Sequence, residues 1–250
     1  MIRRMITGFP EGQRSGRSRS VLLVLAKAPV AGRAKTRLCP PASPRDAARI
    51  AAAALLDTLD AACAVPAAVP IVAWTGELAA AESRPELTRA LRRVSRIEQR
   101  GDTLGERIAA AHADAADRVP GAPLLQIGMD TPQLTAATLA EALAPLSAPG
   151  GPDAVLGPAA DGGWWALGLR DPHLARVIEP VPTSRPDTGE ATLRALRGAG
   201  LSVAVLPELR DVDTAEDALA VAIEVAAVGA GRRFSAAVAT LLTRPAGIAR

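Results

Sequence analysis

Three runs in this chain, Val21–Leu25, Val69–Trp74 and Pro123–Ile127, are apolar at almost every position rather than at every second one. A strand of that kind is covered on both faces, and parallel strands need a helical crossover between them. The segments between the runs supply the helices. Ser43 and Pro44 read as N-cap and first helical position, with Asp46 completing a Ser-x-x-Asp box ahead of a long Ala-rich helix. Glu82–Arg93 reads as a polar helix and Val94–Ile97 as a short strand. This βαβαβ order predicts one α/β domain built on a doubly wound parallel sheet.

The second half continues the alternation. Gln99–Val119 is a glycine-punctuated loop opening a helix, and the strand from Pro123 ends in Gly128-Met129-Asp130 before a Thr-Pro turn. Leu134–Leu146 is a helix, Asp153–Gly157 and Trp164–Leu169 are strands, and Asp187–Arg197 is helical. Leu201–Leu206 is a last strand and Thr214–Val228 a helix capped by Thr214 with Asp217 three residues on. Residues 21–228 form the expected domain, 229–250 a helical tail, and 1–20 a disordered basic extension.

Charge is unevenly placed. The net +3 hides five arginines and one glutamate in residues 1–20, which leaves the remainder at −1. With aromatics at 2% and no tyrosine, stacking material for nucleic acid is scarce, so a nucleic-acid partner is not expected. No run approaches the roughly 18 apolar residues of a membrane span, and the first residues lack a secretory apolar core. A cytoplasmic protein without a membrane partner is expected. Cys39 and Cys63 are isolated, which suits reduced structural thiols. His112 and His173 have no metal-ligand spacing, and no nucleophile–histidine arrangement is visible.

Open α/β sheets bind ligands beyond the carboxyl ends of their strands. After the first strand comes a loop with Lys27, Arg33, Lys35 and Arg37 around Gly32, and it holds both lysines of a chain with 29 basic residues. Compact ammonium groups suit point contacts to phosphate oxygens. Walker A spacing fails at Pro29 and Ala34. Asp130 ends an apolar strand and reads as a hard-metal ligand, since Mg²⁺ takes one or two carboxylates plus substrate phosphates. Asp211 or Asp213, neither needed as a cap beside Thr214, would complete the site. Asp161-Gly162-Gly163-Trp164-Trp165 offers close backbone approach at its glycines and one indole to each face of a strand. One ring would floor an acceptor pocket and the other join the core.

Taken together, KAPVAGRAKTRL at 27–38, QRGDTLGERI at 99–108, IGMDTPQL at 127–134, VLGPAADGGWWALGL at 155–169 and DVDTAEDAL at 211–219 resemble the DUF2064 family. That family is a branch of the nucleotide-diphospho-sugar transferase, or GT-A-like, superfamily, which also holds guanylyltransferases. The resemblance implies a single Rossmann-like three-layer α/β/α domain with a mostly parallel mixed sheet, and Mg²⁺ or Mn²⁺. It implies nucleotide phosphates at Lys27, Gly32, Arg33, Lys35 and Arg37, and a base contact from Gly101, Asp102, Leu104 and Gly105. Asp130 matches the superfamily's metal ligand and Asp213 the second one. Asp161, Gly162, Gly163 and Trp164 match the acceptor side, where the family's usual DGGYY appears as DGGWW.

Two reactions suit these residues. Nucleotidyl transfer from an NTP to a phosphorylated small molecule needs stabilisation of a departing pyrophosphate, for which Lys35 and Arg37 are the catalytic candidates beside Asp130. An acceptor phosphate is already ionised near pH 7, so no base is required. Glycosyl transfer from a nucleotide sugar would use the same metal and would need Asp161 as base. Four cations exceed the need of a metal-bound diphosphate, which favours nucleotidyl transfer. A non-catalytic nucleotide-binding module is the third reading, and the retained carboxylates weigh against it.

Overall fold

The structure, a computed structural model, describes residues 19–241. Its sheet has seven strands in the order β3-β2-β1-β4-β6-β5-β7. These are β1 (Ser20–Lys27), β2 (Ala68–Thr75), β3 (Ser95–Glu98), β4 (Leu124–Ile127), β5 (Ala154–Pro158), β6 (Trp164–Leu169) and β7 (Val203–Val205). β1 lies between β2 and β4, parallel to both, while β6 runs antiparallel to β4 and β5. The mixed, mostly parallel sheet agrees with the expectation.

The apolar strands divide their side chains between two helical layers. Leu22 and Val24 of β1 face a cluster that includes α1 (Pro44–Cys63), α2 (Arg84–Leu91) and α4 (Ala136–Ser147). Leu23 points the other way, to α3 (Leu104–Arg118). Farther along that second face, Leu156 and Leu167 pack under α5 (Thr188–Gly198) and a 3-10 segment, Pro172–Ile178. Buried alanines at 47, 48, 51, 52 and 54 keep α1 thin where it meets its neighbours.

Two further helices, α6 (Ala215–Val228) and α7 (Arg232–Leu241), cover the outer side of α1. Fully buried Phe234 packs there with Ile50 of α1 and with Leu38 and Val212, which belong to the loops after β1 and β7. The main chain of Phe234 donates to Asp57, and Arg233 bridges Asp57 and Asp60. This cluster therefore ties α7 to two loops whose neighbouring residues carry the site.

Start signals in the sequence are honoured. Ser43 accepts from the Asp46 main chain, and Thr214 and Asp217 form a reciprocal capping box. Several details differ from expectation. α2 begins at Arg84 because Pro85 sets its first turn, and Glu82 is left outside to pair with Arg45 and Arg49. β4 stops at Ile127, so Gly128-Met129-Asp130 forms a turn rather than the strand's end. His173, expected in a loop, lies in the 3-10 segment that Pro172 opens, where Asp171 accepts from its main chain. The extension expected over residues 1–20 lies outside the described residues up to 18, and Ser20 already belongs to β1; residues 242–250 also lie outside. Among the described residues no helix is long and apolar enough to cross a membrane.

Candidate active site

The loops after β1 and β4, the turn between β5 and β6, and the loop from β7 to α6 converge beyond the sheet's edge. The last three border a cleft of about 550 Å³, which Lys27 at the end of β1 also lines. The sequence alternation explains the convergence: each apolar strand ends at the point where a charged residue must leave the core.

Lys35 is the centre of the polar network. Its Nζ lies 2.6 Å from Asp130 Oδ2 and 3.1 Å from Asp213 Oδ1, and Arg37 Nη1 lies 3.0 Å from Asp213 Oδ2. Burial acts to lower the Lys35 pKa, but attraction and hydrogen bonding from Asp130, then from Asp213, outweigh it and the net shift is upward. The residue has φ 48° and ψ 44°, a left-handed conformation that costs a non-glycine residue on the order of 1–3 kcal/mol. Two ion pairs and buried Ala34 and Leu38 on either side hold it there. Ser184, also left-handed at φ 60°, borders the cleft from the opposite rim.

Carboxylate oxygens of Asp161, Asp211 and Asp213 come within 4.8 Å of one another. Burial, then the charges of Asp161 and Asp130, push the Asp211 carboxyl up to about 6. Of the expected metal pair, Asp213 thus joins this trio, while Asp130 is joined to it through Lys35. Asp161, expected on the acceptor side, faces both the cleft and the trio.

Lys27 and Arg33 form no ion pair among the described residues, and Gly32 and Arg33 lie exposed at the loop's tip. Lys27 borders the cleft. The four cations therefore split into two that neutralise carboxylates and two that remain available.

The glycine loop after β3 is arranged differently from its expected role. Leu104, 40% exposed, borders the cleft; Gly101, Asp102 and Gly105 do not. Arg107 clamps the Gly101 and Asp102 carbonyls, and Glu106 accepts from the main chains of Asp102 and Thr103. Gly105 is buried where a Cβ would sit 2.6 Å from the Glu179 carbonyl oxygen, so its missing side chain serves packing.

The two tryptophans separate as expected. Trp164 faces the cleft, whereas Trp165 is buried against Gly157 and donates to the Pro207 carbonyl. Gly163 also borders the cleft. Gly162, at φ +87°, supports the turn from behind: a Cβ there would lie 1.9 Å from the Pro186 carbonyl oxygen.

Several cleft residues were not singled out from the sequence, among them Gln99, Arg107, Gln126 and Thr188. One signal was available. Gln126 interrupts an otherwise apolar strand and is 2% exposed, and a buried amide requires a partner. That partner is His112, fully buried on α3, with Nε2 3.0 Å from Gln126 Oε1.

Known proteins resemble this chain in both sequence and fold. A family model described as "Uncharacterized protein conserved in bacteria (DUF2064)" matches residues 58–185. The phosphoenolpyruvate guanylyltransferase of Nocardia farcinica is 33% identical over 185 residues, covering 74% of this chain and 77% of its own. A candidate nucleotide-diphospho-sugar transferase from Desulfovibrio desulfuricans superposes with a TM-score of 0.72 at 26% identity, over 89% of this chain and 98% of that one. A cytidylyltransferase from Leptospira borgpetersenii shares the fold at 13% identity and a TM-score of 0.52, over 92% and 100% of the two chains.

Proposed function

The chain belongs to the DUF2064 family and is a transferase, and from that premise we propose that it is a nucleotidyltransferase, moving NMP from an NTP to a phosphorylated small acid with release of pyrophosphate. GTP and phosphoenolpyruvate are the first substrates to consider, because the guanylyltransferase relative covers most of this chain. The observation that carries the reading is the meeting of Lys35, from the cationic loop after β1, with a group of carboxylates from three other loops beside one cleft that Lys27 also lines.

The donor set suits a divalent cation. Asp161, Asp211 and Asp213 offer clustered hard oxygens, and the Asp211 pKa, raised first by burial and then by neighbouring carboxylates, registers a cost of the charged form that bound Mg²⁺ or Mn²⁺ would relieve. Asp130 would join them once Lys35 turned to a phosphate. When bound, the cation would neutralise charge on the triphosphate and its leaving group.

The chain's own groups then have distinct tasks. Lys27 and Arg33, free of carboxylates, hold triphosphate oxygens as point charge and fork. Lys35 and Arg37 stabilise charge on the departing pyrophosphate. An acceptor phosphate oxygen attacks the α-phosphorus while the bond to the β-bridging oxygen breaks, and pyrophosphate leaves with that electron pair. No proton is removed in this step, so buried His112 and distant His173 have no part in it. Trp164 and the Gly163 backbone floor the acceptor end.

Glycosyl transfer is the second reading, favoured by one observation: Asp161 stands at the cleft beside Trp164, where an acceptor hydroxyl would need a base. Thermal shift with the four NTPs and three nucleotide sugars, each with and without Mg²⁺, separates the two. Mg²⁺-dependent stabilisation by an NTP supports nucleotidyl transfer; preferential stabilisation by a nucleotide sugar and its free diphosphate would overturn it.

A further inference from the structure

Two glutamine amides in the cleft are each locked in one orientation. Gln99 donates through Nε2 to the carbonyls of Ala26 and Ala73, both at 2.9 Å, which engages both amide hydrogens and leaves Oε1 as an acceptor. Gln126 is locked in the opposite sense, with Oε1 against His112 Nε2. Its own Nε2 has no partner among the described residues and is not among the sealed polar atoms that lack one, so this donor opens on the cleft that Gln126 borders.

The lock on Gln126 depends on the His112 tautomer. His112 Nδ1 is buried without a partner. An orphaned buried N–H is rarer than an under-used acceptor, so the proton belongs on Nε2, which then donates to Gln126 Oε1. Burial drives the His112 pKa down to about 4, so the ring is neutral at physiological pH and holds a single donor. Gln126 cannot turn over without setting its own N–H₂ against that N–H.

A free glutamine serves either a carbonyl or an amino group by rotating its amide; a locked one serves only one of them. Around Gln126 the cleft is walled by Leu25, Leu104 and Ile108, a setting for a flat ring rather than a phosphate. We propose that Gln126, held by His112, reads the exocyclic group of the nucleotide base by donating its Nε2–H to a carbonyl oxygen, as on guanine or uracil, in preference to the amino group of adenine or cytosine. Gln99, the locked acceptor, suits the ring N–H adjacent to such a carbonyl. Gln126 is the specificity-determining residue and His112 a positioning residue. The inference rests on the nucleotidyltransferase reading for the identity of the ligand.

The test is calorimetric binding of GTP, ITP, UTP, ATP and CTP, with inorganic tripolyphosphate as a probe of the phosphate end alone. Wild type is expected to bind GTP and ITP about tenfold or more tightly than ATP, the scale of one mismatched buried hydrogen bond. Gln126→Leu is expected to lose that preference and keep its tripolyphosphate affinity. His112→Leu is expected to lose it as well, by freeing the amide to rotate, while His112→Gln, which returns a donor, restores it. A structural role for His112 would change melting temperature without changing the GTP-to-ATP ratio. Unchanged ratios in both Gln126→Leu and His112→Leu, with NTPs still bound, would overturn this inference and leave the transferase reading standing. Failure of wild type to bind any NTP would remove both.

Discussion

Replacing Asp211 by asparagine should stabilise the ligand-free protein while weakening its response to Mg²⁺. Asp211 is half-buried among Asp161, Asp130 and Asp213, and its carboxyl is raised from 3.8 to about 6. Two units correspond to roughly 3 kcal/mol, and solvent screening of a half-buried group reduces this to about 1–2 kcal/mol. The sign follows from proton binding. The folded state holds the Asp211 proton more tightly than the unfolded chain, so stability is full below about 4 and declines as pH rises to about 6. Above that window the native state carries the cost of a partly buried charge and its repulsion by the neighbouring carboxylates, and the asparagine variant does not. For a domain of this size, 1 kcal/mol moves the melting temperature by roughly 2–4 °C. Scanning fluorimetry at pH 7.5 without divalent ions should therefore show the variant melting about 2–8 °C above wild type, with the gap narrowing at pH 4.5. Addition of Mg²⁺ should raise the wild-type melting temperature and narrow the gap. A variant that melts lower at pH 7.5, or a gap that is the same at both pH values, would refute the placement of Asp211 in a repulsive cluster.

Lys35→Ala and Arg33→Ala should each weaken NTP binding by about 1–3 kcal/mol, the scale of a charge-assisted hydrogen bond, as read by calorimetry; unchanged affinity in both would remove the loop from the phosphate site. Phe234→Ala should cost about 3–5 kcal/mol of stability in urea unfolding, because the side chain is fully buried among α1, α6 and the two site loops. A cost below about 1 kcal/mol would mean α7 contributes little to the core. Trp164→Ala should raise the KM of the acceptor and leave the NTP KM within about twofold, whereas an equal rise in both would move Trp164 away from the acceptor end.

The legible part of this fold was the part set by patterning over whole elements. Apolar strands such as Val21–Leu25 and the boxes at Ser43 and Thr214 announce themselves because each depends on local chemistry alone. What the sequence left dark depends on partners distant along the chain. Gly105 looks like a nucleotide-binding glycine until Glu179, 74 positions on, is seen to occupy the space of its Cβ. Lys35 reads as a free cation, and only folding brings it between Asp130 and Asp213. Asp161 and Asp211 lie 50 residues apart, and their proximity follows from the parallel pairing of β5 with β7, continued by the Ala159–Leu209 bridge, which ends both strands at one edge of the sheet. Gln126 was the missed clue, because a polar residue inside an apolar strand already implies a buried partner.

The central claim is the transfer of a nucleotidyl group. Pyrophosphate release should be followed with GTP and phosphoenolpyruvate in Mg²⁺, with mass detection of the product and with UDP-glucose and GDP-mannose in parallel reactions. Release of pyrophosphate that requires both the NTP and a phosphorylated acceptor, and that disappears in Asp130→Asn, is the predicted result. Release of a nucleoside diphosphate from a nucleotide sugar, with no NTP yielding pyrophosphate under any acceptor tried, would contradict the account and make sugar transfer the reaction of this site.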